Sequence, residues 1–120
     1  ELVTDNQKPG RITLSHTGGF SVIEMKDIIR LEAESNYTRV YVSEKRSYFV
    51  SKPLKVFEDS LKDNIFFRVH RSYIINLNHV KEFLREDGGV IVMNDDARIQ
   101  LPKARYNEFI EAMRRLSIAI

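Results

Sequence analysis

The chain has 120 residues, of which 42% are hydrophobic, 30% charged and 10% aromatic, so it fits one domain with a modest core. It has no cysteine, which excludes a disulfide framework, a thiolate metal site and a cysteine nucleophile. No apolar run approaches a membrane span, no N-terminal stretch has the build of a signal peptide, and a net charge of +2 says little about partners.

Residues 1–10 are polar, lack periodicity and end in Pro9-Gly10, so they read as a linker or frayed end. Residues 11–15 and 20–24 alternate on either side of Thr17-Gly18-Gly19, which predicts a first hairpin. Residues 28–34 and 38–43 form a second pair, with Val40 and Val42 on one face and Arg39 and Tyr41 on the other. Glu44-Lys45-Arg46 then turns the chain into residues 47–50, where Tyr48 and Val50 alternate.

A helix is predicted over 53–62, with Pro53 in its first turn and Leu54, Phe57 and Leu61 on one stripe. Residues 66–76 read as irregular, with Tyr73, Ile74 and Ile75 buried. Residues 80–84 and 90–93 are joined across Asp87-Gly88-Gly89, another hairpin, and Asn94-Asp95-Asp96 turns into a strand over 98–101. A second helix over 103–116 carries Tyr106, Phe109, Ile110, Met113 and Leu116 at helical spacing. The pattern is an α+β domain dominated by antiparallel β, with the domain over 11–116 and a tail over 117–120. The first residue is Glu1 and not Met, so the chain reads as a piece of a longer protein.

Charge is segregated along the chain. Arg39, Lys45, Arg46, Lys52 and Lys55 face the single acid Glu44, and Arg68, Arg71 and Lys81 stand in a stretch without acids. Arg98, Lys103 and Arg105 form a third basic island, whereas residues 82–97 hold Glu82, Glu86, Asp87, Asp95 and Asp96 against Arg85 alone. This pattern predicts one basic and one acidic face, and a basic face points to a polyanion.

Catalysis and metal binding find little support. His70 and Ser72 are two apart, which in an extended segment places them on opposite faces, and no nucleophile-elbow motif presents a serine. His16, His70 and His79 do not share the spacings that put two ligands on one helical face. The glycine pairs sit in hairpin turns and not in phosphate loops, so no cofactor is implied. Most aromatics fall on apolar stripes and read as core, and no helix has the build of a recognition helix, so a duplex would be read by loops or strand ends.

Three segments carry a resemblance. IRLEAESNYT (29–38), SKPLKVFEDSL (51–61) and FRVHRSYIIN (67–76) are similar to successive signatures of the LytTR family, the DNA-binding output domains of many bacterial response regulators. The similarity runs from about Arg11 to Leu116, and the third segment is its most specific part. The resemblance implies an elongated arrangement of short β-strands with two short helices, in which three loops on one face enter successive major grooves.

Carried over by motif, the first loop is Asn36-Tyr37-Thr38-Arg39, the second His70-Arg71-Ser72, and the third Pro102-Lys103-Ala104-Arg105. Each falls in or beside a basic island. The third loop departs from the family pattern: many members carry Ser followed by Arg where this chain has Pro102 and Lys103. Lysine lacks the planar fork that reads a guanine edge, which leaves Lys103 and Arg105 as alternative base readers there.

Chemistry assigns the remaining roles. Arg71 is the best base reader, because a guanidinium donates two parallel hydrogen bonds to guanine. Thr38 is a second candidate, through its hydroxyl or its methyl on thymine. Arg39, Ser72 and Lys103 suit phosphates, His70 shapes its loop, and Asn76 caps a turn. The reading is sequence-specific binding of double-stranded DNA in transcription regulation, by the output domain of a two-component response regulator in the bacterial cytoplasm. The implied partners are promoter direct repeats, an upstream receiver domain and a second copy on DNA, with no membrane. The alternatives are a module that binds an acidic protein through its basic face and a structured-RNA binder.

Overall fold

A computed structural model describes residues 10–62 and 65–120. The linker expected over 1–10 lies outside the described residues except for Gly10, whose carbonyl accepts a hydrogen bond from the Met25 amide at 2.9 Å.

The alternating segments pair as antiparallel hairpins. β1 (Arg11–His16) pairs with β2 (Gly19–Glu24). β3 (Ile28–Glu34) pairs with β4 (Tyr37–Val42), which in turn pairs with β5 (Arg46–Val50). α1 (Leu54–Ser60) follows, capped by the extended Pro53. β6 (Phe66–His70) and β7 (Tyr73–Asn76) form a further hairpin, and β8 (Val80–Leu84), β9 (Val90–Met93) and β10 (Arg98–Gln100) form a separate three-stranded sheet. A 3₁₀ turn, Lys103–Arg105, leads into α2 (Tyr106–Leu116), beyond which residues 117–120 are exposed.

The central sheet has the order β5-β4-β3-β7-β6. Its two faces are covered by different layers. On one face Ile28, Leu31, Val40, Val42 and Ile74 meet Leu14 and Ile23 of the first hairpin and Leu54, Phe57 and Leu61 at α1. On the other, Ile29, Phe67, Val69 and Ile75 meet Ile91, Met93 and Ile99 of the small sheet and Phe109 and Ala112 of α2. Each large apolar side chain removed from water contributes about 1.5–3 kcal/mol, so both layers hold the sheet.

The segment over 66–76, expected to be irregular, is a hairpin instead. β7 lies between β3 and β6, so Ile74 and Ile75 are buried against opposite layers and Asn76 is buried beside them. A strand covered on both faces shows no alternation to read. A register shift between Arg68 and His70 disturbs β6 as well. The Asn76 amide donates to the Ile28 carbonyl at 2.9 Å, and its oxygen accepts from the Asn78 amide, which caps the following 3₁₀ turn. The shape is a flat slab, 43 × 40 × 26 Å, with two near-equal long dimensions where the resemblance implies elongation.

Candidate nucleic-acid interface

β3 pairs with β4 on one side and with β7 on the other, and its last residues lie opposite the start of both. The β3–β4 turn and the β6–β7 turn therefore emerge at the same end of the central sheet. The Ala33 amide donates to the Ser72 carbonyl at 2.8 Å and ties the two together. The third loop joins them from below: His70, Arg71, Pro102 and Arg105 line one shallow depression with Glu58 and Arg68. The three loops expected from the resemblance thus gather at one end of the sheet.

In the first loop Ser35 turns the chain with φ 57°, and Asn36 and Tyr37 are exposed. Tyr37 leans on Phe49, with ring centroids 5.1 Å apart. The Arg39 guanidinium lies 4.8 Å above the same Phe49 ring and donates to Glu34 at 2.8 Å, which raises its pKa. Thr38 corrects the expectation that it reads a base. It is fully buried, and its hydroxyl donates to the Lys52 carbonyl at 2.8 Å. It shares a strand face with Val40 and Val42, so alternation places it with the core.

In the second loop Arg71 is exposed, and among the described residues its guanidinium has no ionic or hydrogen-bonding partner. The His70 imidazole accepts from the Ser72 backbone amide at 3.2 Å and meets the Tyr73 ring edge-on at 5.0 Å. Burial, followed by the charges of Arg68 and Arg71, holds its pKa below the usual imidazole value. His70 therefore organises the turn as a neutral ring, and the Ser72 hydroxyl is not its partner.

The third loop divides its two cations. Lys103 is exposed and free of ion pairs among the described residues. Arg105 is tied down: it donates twice to the Arg68 carbonyl, pairs with Glu108, and stacks 4.6 Å from the Phe67 ring. Arg105 is therefore not presented as a base reader.

Charge segregation along the chain does not survive folding as one basic and one acidic face. Asp95 is paired with Arg30 at 3.0 Å, Asp96 with Lys81 at 2.7 Å, and Glu86 with Arg98. In the basic islands Arg68 is paired with Glu58 at 2.6 Å, and Lys55 lies 3.2 Å from Asp59. What stays unpaired among the described residues at the loop end is Arg71, Lys103 and Lys52. Lys52 was not among the expected contacts. It follows β5, whose Val50 lies opposite Thr38, so strand register brings it beside the first loop. Phe49 was also missed, although the alternation of Tyr48 and Val50 leaves it on the outer face.

The LytTr DNA-binding domain family matches residues 18–114. The chain belongs to this family. A LytTr DNA-binding domain from Bacillus cereus superposes with a TM-score of 0.74 at 25% identity, covering 88% of this chain and 98% of that one. The CO-responsive transcriptional regulator RcoM of Rhodospirillum rubrum is 39% identical over 84 residues, 69% of this chain and 35% of that protein. The heme-containing CO-sensing regulator RcoM 2 of Paraburkholderia xenovorans is 33% identical over 85 residues, 70% of this chain and 32% of that protein. Sensory transduction protein LytT of Bacillus subtilis is 30% identical over 100 residues, 82% of this chain and 41% of that protein. The chain thus spans about a third to two-fifths of the length of these relatives. As a LytTr domain the chain is a DNA-binding domain.

Proposed function

We propose that this LytTr domain reads duplex DNA with the turns at one end of its central sheet. The observation that carries the reading is Arg71: a guanidinium with no partner among the described residues, on an exposed turn whose backbone is held by its neighbours. Arg71 reads a guanine edge in the major groove, and Asn36 and Tyr37 approach from the neighbouring turn. Arg39, Ser72, Lys103 and Lys52 hold phosphates, which set orientation without specifying sequence. His70 keeps its turn in shape.

The functional unit is residues 11–116, working in the bacterial cytoplasm on promoter direct repeats, with two copies side by side. We read it as the output module of a response regulator whose receiver domain lies elsewhere in the protein. The likeness to LytT supports that arrangement. The likeness to the CO-sensing RcoM proteins supports a family of domains that serves inputs of more than one kind.

Selection from a pool of random duplexes tests the reading. Convergence on one motif, resistant to heparin competition, is the expected result. Binding to any polyanion without convergence would instead favour an acidic protein partner, and preference for folded RNA would move the site to another nucleic acid.

A further inference from the structure

We propose that Arg68 and Arg105 are positioning residues that clamp the second and third loops into one unit, so that neither touches DNA and both govern how Arg71 is presented. The inference rests on the loop assignment above and concerns two basic residues that a charge map would credit to the polyanion.

Arg68 sits where β6 shifts register, just before the turn whose His70 and Arg71 carbonyls lie within its reach. Its guanidinium takes them up: Nε donates to the His70 carbonyl at 2.7 Å and Nη2 to the Arg71 carbonyl at 2.8 Å. Nη1 reaches Glu58 of α1 at 2.6 Å, which fixes the fork to the helix. The Arg68 carbonyl in turn accepts from Arg105 Nε at 3.1 Å and Nη2 at 2.6 Å. Arg105 Nη1 pairs with Glu108, and the guanidinium lies over Phe67. Every nitrogen of both side chains is engaged within the protein.

The chain of contacts runs from Glu58 through Arg68 to the Arg71 backbone, and from the Arg68 backbone to the third loop. Charge-assisted hydrogen bonds to fixed carbonyls are directional, and a planar fork is the side chain that serves three acceptors at once. Lysine keeps the charge but brings its donors to a single point. It can hold Glu58 or one carbonyl and leaves the turn free to sample other conformations.

The test compares Arg68→Lys, Arg71→Ala and the double variant with the native domain. Each is measured for thermal unfolding, for backbone amide NMR shifts, and for binding to a preferred and a scrambled duplex at two salt concentrations. In Arg68→Lys the amides of Arg71, Ser72 and Lys103 should move together. Discrimination between the duplexes should fall about five- to tenfold, within the range one lost bidentate base contact spans. The salt slope should stay unchanged, and the double variant should discriminate no worse than Arg71→Ala alone.

A salt slope lower by about one would make Arg68 a phosphate contact and overturn the proposal. Additive losses in the double variant, or unmoved loop amides, would overturn it too. If Arg71→Ala leaves discrimination intact while the amides still move in Arg68→Lys, the clamp stands and the base-reading assignment fails. Should Arg68→Lys not fold, Arg105→Lys carries the same comparison from the other side of the clamp, by removing the paired donors to the Arg68 carbonyl together with the planar group over Phe67.

Discussion

The Thr38 hydroxyl donates to the main-chain carbonyl of Lys52 at 2.8 Å, from a side chain with no exposed surface. This bond ties the first loop to the segment that leads into α1. Thr38→Val keeps the shape and deletes the donor, leaving the Lys52 carbonyl short of a partner. Denaturant unfolding should show a loss of about 1 kcal/mol. The motif recovered from random duplexes should be unchanged, and a new base preference in this variant would return Thr38 to the interface.

Arg71→Ala and Lys103→Ala should fail in different ways. Loss of the Arg71 guanidinium should cost about 1–3 kcal/mol on the preferred site and flatten preference at one position. Loss of Lys103 should weaken all duplexes about equally and lower the salt slope by about one. Both residues are exposed, so neither variant should change the melting temperature. Equal weakening of both duplexes by Arg71→Ala, with preference intact, would show that Arg71 holds a phosphate.

Lys52→Ala tests whether strand register has located a contact that the motifs did not. The lysine is exposed, and its carbonyl, which holds Thr38, is untouched by the substitution. The log–log salt slope should fall by roughly 0.9, the share of one phosphate on B-DNA. An unaltered slope would place Lys52 outside the footprint.

His70 gives the domain a pH dependence with a defined sign. Burial and two neighbouring arginines depress its folded pKa, so the fold prefers the neutral ring. The unfolded chain, with an imidazole pKa of about 6.5, takes up a proton first as pH falls. The stability owed to the neutral imidazole is therefore complete above about pH 6.5 and declines as pH drops toward the folded value. Unfolding followed from about pH 8 to about pH 5.5 should show native stability falling relative to His70→Gln. An NMR titration should place the His70 midpoint below that of a free imidazole.

Much of the fold is legible in the sequence where a strand has one wet face. Residues 11–15 and 20–24 alternate about one glycine-bearing turn, residues 80–84 and 90–93 flank another, and both hairpins form where those signals predict. The pattern fails at β7, because Ile74 and Ile75 are both buried, each in a different layer. For the site, the motifs lead to three loops that the β3 ladder and one shared depression bring to the same end of the sheet. Linear charge misleads in detail. Arg30 and Asp95 are 65 residues apart in sequence and pair in space, and Arg105 turns inward to a carbonyl. Thr38 shows the reverse failure: alternation with Val40 and Val42 already marks it as core, and a resemblance by position overrides that signal.

The central strands β3 and β7 each place residues in both hydrophobic layers, Ile28 and Leu31 with Ile74 on one side, Ile29 with Ile75 on the other. Neither layer can come apart without exposing the back of a strand that the other layer still covers. Backbone amide hydrogens of Leu31 and Ile75 should therefore exchange with solvent deuterium only through global unfolding. Those of the β1–β2 hairpin, which pairs with no other strand, should exchange through smaller openings. The end of the sheet that carries the β3–β4 and β6–β7 turns should thus rest on the slowest-opening part of the molecule.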